Sequence, residues 1–159
     1  KSYIFSAQVW DPEKKYIFKK KKFTPKVSPL LIYECHIGMA QEEERVGTYD
    51  EFRRNVLPRI AADGYNAIQI MAIQEHPYYG SFGYHVSSFF APSSRFGTPE
   101  DLKHLIDDAH NLGIAVIMDI VHSHAVKNEV EGLGRFDGSY DQFFYGDHRR
   151  EQRLRFQNL

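Results

Sequence analysis

From Leu30 onward, continuous apolar runs alternate with amphipathic stretches, and this alternation constrains the fold more than any other feature of the chain. The runs are Leu30-Leu-Ile-Tyr33, ending in Glu34-Cys35-His36, then Ala67-Ile-Gln-Ile-Met-Ala72 and Ile114-Ala-Val-Ile-Met118. Apolar side chains at successive positions imply strands covered on both faces. Between the first two runs, Thr48 with Glu51 forms a capping box that opens a helix. Phe52, Val56 and Ile60 continue that helix at spacings of four, Pro58 should kink or split it, and Gly64 stops it. Before the third run, Thr98 supplies an N-cap, Pro99 the first helical position and Asp101 the third. Leu102, Leu105, Ile106 and Ala109 make the apolar stripe of this second helix, and Gly113 ends it. The order is β-α-β-α-β, which implies parallel strands joined by right-handed crossovers.

Doubly wound sheets and (β/α)8 barrels both begin this way. Two features favour the barrel: no glycine-rich phosphate loop follows the first strand, and the long connections all follow strand C-termini, where barrel enzymes build their sites. A closed barrel needs eight strands and about 250 residues, so these 159 residues read as its N-terminal part, over 29–159. Residues 1–28 differ in character. Tyr3–Trp10 and Tyr16-Ile-Phe18 are short β-like runs broken by Asp11-Pro12 and closed by Pro25 and Pro29, a strand remnant plus linker. The Lys19–Lys22 run reads as a solvated turn or edge-strand guard rather than a binding patch.

The connection from about Ile73 to Gly97 is long for a compact domain and holds Tyr78, Tyr79, Phe82, Tyr84, Phe89, Phe90 and Phe96. So aromatic a loop is functional rather than disordered. Aromatic faces suit the C–H face of a pyranose, and tyrosine hydroxyls suit its rim. Phe82, Phe89, Phe90 and Phe96 are expected to pack the loop down, and Tyr84 to face a ligand. A net charge of −1 gives no field for nucleic acid or an anionic membrane, and no stretch nears the length of a membrane span. Cys35 is the single cysteine, so no disulfide framework is possible within the chain; with no signal-peptide pattern, this favours a cytoplasmic setting.

The third run leads into Asp119-Ile-Val-His-Ser-His124. With strand alternation, Val121 should point opposite to His122. Two histidines and an aspartate at a strand end suit polar substrate contacts or metal ligands. No second carboxylate and histidine set completes a metal site, and a buried structural histidine is the competing reading for His124 and, more strongly, for His122.

Asp119–His124 resembles the first conserved region of the α-amylase superfamily, at the end of the third barrel strand. Tyr79-Gly-Ser-Phe-Gly-Tyr84 and Phe89–Pro99 resemble the α-1,4-glucan branching enzymes of that superfamily, as do Tyr33–Gly38, Asn55–Ile60 and Leu133–Gly138. The resemblance runs from about Ser6 to Gly138. It implies a (β/α)8 barrel preceded by a β-sandwich module, of which Trp10 and its neighbours would be the tail. It also implies an α-glucan substrate, glycogen or starch-like, and transfer of a cleaved chain to a 6-hydroxyl by a retaining mechanism. It calls for no cofactor, metal, nucleic-acid or membrane partner. Tyr84 would be the platform under the reacting sugar, His124 would hydrogen-bond that sugar, and Asp119 would organise the site. Tyr79 joins them as a substrate contact. The aspartate nucleophile, glutamate acid/base and second aspartate of the family are expected beyond Leu159, so the chain alone should be inactive. Another glucan hydrolase or debranching activity, or a non-catalytic glucan-binding piece, are the alternatives. After Arg150, where the family continues Trp-Asp-Ser, this chain reads Glu-Gln-Arg-Leu.

Overall fold

A computed structural model describes residues 8–25, 29–126, 129–132, 135 and 137–139. The start of the Tyr3–Trp10 run, parts of Leu133–Gly138 and everything from residue 140 on lie outside the described residues. The chain divides into two compact units, one of residues 10–71 and 94–119, the other of 1–9, 72–93 and 120–159.

The first unit carries the β/α alternation. Strands β1 (Ile32–Cys35), β2 (Ala67–Ile70) and β5 (Ala115–Met118) form a parallel sheet in the order β1-β2-β5. Ile32 pairs with Ala67, which pairs in turn with Ala115. Ala67, Ile68 and Ile70 of the central β2 are fully buried, as continuous apolar runs predict. The outer strands depart from that expectation: Ile32 keeps 44% and Met118 45% of their surface exposed. Among the described residues only β2 has a hydrogen-bonded strand on each side, and its fuller burial goes with that central position.

Between β1 and β2 the helix is split. The Thr48 hydroxyl accepts a hydrogen bond from the Glu51 amide, and the Thr48 amide donates one to the Glu51 carboxylate, completing the capping box of α1 (Tyr49–Glu51). A π-helical segment, Phe52–Val56, follows, and α2 (Leu57–Ala62) resumes the regular pitch with Pro58 in its first turn. The Leu57 amide donates to the Phe52 carbonyl, a five-residue step. The wide turn therefore ends immediately before the proline, which has no N–H to offer the preceding turn. It also corrects the core pattern: Leu57 is fully buried, while Val56 is half-exposed.

The second helix, α3 (Pro99–Asn111), has the expected cap, with Thr98 and Asp101 exchanging both hydrogen bonds. Gly64 and Gly113, at φ +87° and +82°, follow the two helical stretches as expected. Leu102, Leu105 and Ala109 are buried, Ile106 only partly, and Asp107 is buried completely. Its cover comes from residues 10–25, which contain no strand, so Tyr16–Phe18 is not the β run its sequence suggests. These residues lie along α3 as a strap. Tyr16 Oη donates to Asp107 Oδ2 at 2.7 Å, and the Lys19 and Lys20 amides donate to the same carboxylate at 2.9 and 3.3 Å. Phe23 stacks on His110 with ring centroids 4.1 Å apart, and Trp10 Nε1 donates to Glu100. Burial pushes the Asp107 carboxyl upward, but the donors from Lys19, Tyr16 and Lys20 more than offset it and hold the group below the ordinary aspartate value.

In the second unit, β3 (Gln74–Glu75) and β4 (Ser88–Pro92) form an antiparallel pair with a register irregularity at Gln74/Glu75. The long aromatic connection is therefore a folded ribbon rather than a structureless loop. Ala72, Val86 and Val121 are its buried core, with Tyr84 and Phe89 packed against them. No helix among the described residues is long and apolar enough to cross a membrane.

Candidate functional site

The second unit brings Tyr84 and His124 together. His124 Nε2 donates to the Tyr84 carbonyl at 2.7 Å, and its Nδ1 lies 3.0 Å from Ser123 Oγ. With Nε2 carrying the hydrogen, Nδ1 accepts from the serine hydroxyl. His124 thus bonds backbone as a structural histidine does, and through that bond it fastens the backbone of the aromatic residue. Val121 is buried and His122 exposed, which is the predicted alternation. The expectation of a buried structural His122 fails: Val121 takes the inward position, and the side chain after it faces solvent.

A tight turn sets the approach to Tyr84. Tyr79–Ser81 form one 3-10 turn, with Tyr79 half-buried, and the Phe82 amide donates to the Tyr79 carbonyl at 2.9 Å. Phe82 is left-handed, φ 53° and ψ 25°, and Gly83 follows at φ +93°. The Tyr84 amide then reaches back to the Ser81 carbonyl at 3.0 Å. Gly83 sits so close to the Ala72 backbone that a Cβ there would lie 1.9 Å from the Ala72 carbonyl oxygen. Only glycine meets both demands, the positive φ and the contact.

Gln74 is the residue that sequence reasoning missed. Its buried amide accepts from the Val121 N–H at 2.8 Å and donates to the Phe89 carbonyl at 3.2 Å. One side chain thereby ties the segment leading to His124 to strand β4. Its signal in the sequence is faint: a glutamine following the apolar Ala72-Ile73, where the strand pattern has already ended. Among the four packing candidates, Phe96 is buried against His36 and Tyr49 and Phe89 packs on the core, but Phe82 and Phe90 are exposed at 41% and 83%. Phe82 stands on a reversed turn, and Phe90 meets Phe89 edge to face on the more open side of the two-stranded ribbon.

Asp119 belongs to the first unit. It is half-buried at the end of β5, where its amide donates to the Ile70 carbonyl at 3.0 Å and extends the ladder by one step. Among the described residues no three His, Cys, Asp or Glu side chains gather in a way that could hold a metal ion.

The pattern of one family, described as Alpha amylase, catalytic domain, matches residues 56–154. The chain belongs to the alpha-amylase catalytic-domain family. Similar curated relatives carry one kind of name. A 1,4-alpha-glucan-branching enzyme of Yarrowia lipolytica is 56% identical over 92% of this chain and 21% of its own length. A chloroplastic/amyloplastic branching enzyme of Arabidopsis thaliana is 58% identical over 89% of the chain and 18% of its own length. The chain thus spans about a fifth of the length of the relatives it matches. A crystal structure of a Salmonella typhimurium protein assigned as an alpha amylase superposes with a TM-score of 0.75 at 27% identity, covering 92% of this chain and 24% of that one. These comparisons support the alpha-amylase fold that the motif resemblance implies.

Proposed function

We propose that the protein to which these residues belong is a 1,4-α-glucan branching enzyme, cleaving an α-1,4 linkage and passing the freed chain to a 6-hydroxyl to make an α-1,6 branch. The observation that carries this reading is the identity of 54–58% to branching enzymes from Saccharomyces cerevisiae, Yarrowia lipolytica and Arabidopsis thaliana, over 89–92% of the chain. In this reading the three parallel strands are the first of eight in a closed barrel, and residues 1–28 are the end of a preceding β-sandwich module and the linker from it. Tyr84 lies under the sugar at the cleavage point. His124 holds the Tyr84 backbone and hydrogen-bonds the same sugar when it binds, Asp119 organises the site floor, and Tyr79 contributes at the rim. The retaining displacement needs a nucleophilic carboxylate and an acid/base carboxylate, assigned to strands beyond Leu159.

The test uses the full-length enzyme on a linear α-1,4-glucan. New α-1,6 linkages, released as short chains by a debranching enzyme, are the expected result. New reducing ends without branches would instead make water the acceptor and the protein a hydrolase.

A further inference from the structure

The stretch through His124 lies beyond the parallel sheet, and bonds within the second unit set its position. The Val126 amide donates to the Val86 carbonyl at 2.8 Å, His124 Nε2 donates to the Tyr84 carbonyl, and the Val121 amide donates to Gln74 Oε1. Of these three, the last alone relies on a side chain from another element. Gln74 is 3% exposed, so its amide must find its partners inside the protein. Its Nε2 donates to the Phe89 carbonyl, at the place where β4 outruns β3. Gln74 pairs with Pro92 and Glu75 with Ser88, which leaves the residues between Ser88 and Pro92 with no counterpart on β3. One acceptor and one donor on a single planar group therefore fix the approach to His124 against the irregular part of the ribbon. Tyr84 packs on the cluster of Ala72, Val86 and Val121, so a shift of Val121 disturbs the support of both candidate sugar contacts.

We propose that Gln74 is a positioning residue for turnover, its amide holding Val121 so that His124 and Tyr84 meet the reacting sugar in register. This rests on the α-glucan reading of the site, in which those two side chains touch that sugar. Gln74 acts through them: its own side chain is buried, and both ends of its amide are engaged. Its loss leaves the sugar contacts present but displaced. A displacement of about 1 Å among reacting groups costs up to about a hundredfold in rate, while binding along the rest of the glucan persists. The loss therefore falls on kcat rather than on KM.

The full-length enzyme with Gln74→Leu and Gln74→Glu tests this, by branching kinetics from about pH 5 to about pH 8 at a temperature below every variant's melt. Gln74→Leu makes neither bond, so its kcat should fall about tenfold at every pH, with KM within about twofold. The carboxylate of Gln74→Glu still accepts from the Val121 amide but turns a second acceptor toward the Phe89 carbonyl. Once protonated it donates there as the amide does, and burial raises the pH at which the proton binds. Its kcat relative to the parent should therefore be low at high pH and recover severalfold as the pH falls. Glu75 and His76 on β3, and His122 and His124 beyond Val121, titrate nearby, while β4 holds no titratable side chain. Division by the parent's kcat at each pH removes what those groups contribute in common. A folded Gln74→Leu with the parent's kcat would overturn the proposal, and so would a Gln74→Glu ratio that stays flat with pH. If Gln74→Leu does not fold, the ratio for Gln74→Glu decides alone. A parent that cleaves α-1,4 linkages without forming branches would end the branching reading, and the same comparison made on cleavage would still decide the role of Gln74.

Discussion

Gly83 and Tyr84 stand side by side in the aromatic turn, Gly83 fixed by its contact with Ala72 and Tyr84 carrying the proposed sugar contact. Gly83→Ala must move the Ala72 carbonyl or the turn itself, since its Cβ would lie 1.9 Å from that oxygen. The full-length protein should lose more than about 2 kcal/mol in urea unfolding, or fail to fold. Tyr84 and Phe89 pack on the same cluster of Ala72, Val86 and Val121, so both replacements by alanine should destabilise. Phe89 is only partly buried, so its loss should cost about 2 kcal/mol, less than the 3–5 of a fully buried ring. Turnover separates the two: Tyr84→Ala should lose far more kcat than Phe89→Ala at matched stability, and near-normal kcat would make Tyr84 a packing residue. His124→Ala removes the bond to the Tyr84 carbonyl and should lower both kcat and stability, the latter by about 1 kcal/mol. Cys35 offers a simpler check. Burial, with the Glu34 charge adding to it, pushes its thiol up to about 12, so a thiol reagent at pH 7 should react with it only after unfolding.

At the scale of elements, the π segment and the strap are where packing altered the pattern in the sequence. The five-residue step from Phe52 to Leu57 turns Leu57 inward and Val56 partly outward. Leu57→Ala should therefore cost about 2–5 kcal/mol and Val56→Ala well under half of that. Equal losses in denaturant melts would mean that the helix runs through Pro58 in a regular register. The strap depends on one carboxylate. Asp107→Asn keeps the shape of the side chain but cannot accept three hydrogen bonds, so trypsin should cut at Lys19–Lys22 roughly tenfold faster than in the parent. The Asp107 carboxyl is held below its ordinary value in the folded chain. Its contribution is accordingly complete above about pH 4 and is lost as the pH falls through the folded value. Strap protection followed by hydrogen exchange down to pH 3 should show that loss in the parent and not in Asp107→Asn.

At the scale of the whole molecule, the three-stranded sheet bares apolar side chains on its outer strands, among them Ile32, Tyr33, Ile117 and Met118. The 159-residue chain made alone should self-associate, and size-exclusion at micromolar concentration should show species larger than a monomer. It should also form no α-1,6 linkages, because the carboxylates assigned to the displacement are not within it. The order of the three parallel strands and of the helical stretches between them, both capping boxes and the inward Val121 were legible in the residues, because each depends on neighbours within a few positions. So were the motifs that carry the family resemblance. Three-dimensional packing decided the rest. Burial of an aspartate on α3 requires donors some ninety residues away, and no local pattern announces them. The inward turn of Leu57 depends on where a helix widens to accommodate a proline. The pairing of His124 with the Tyr84 carbonyl joins residues forty positions apart. Local sequence determines which elements form, since propensity and capping act over a single turn; which side chains meet depends on where those elements come to rest against each other.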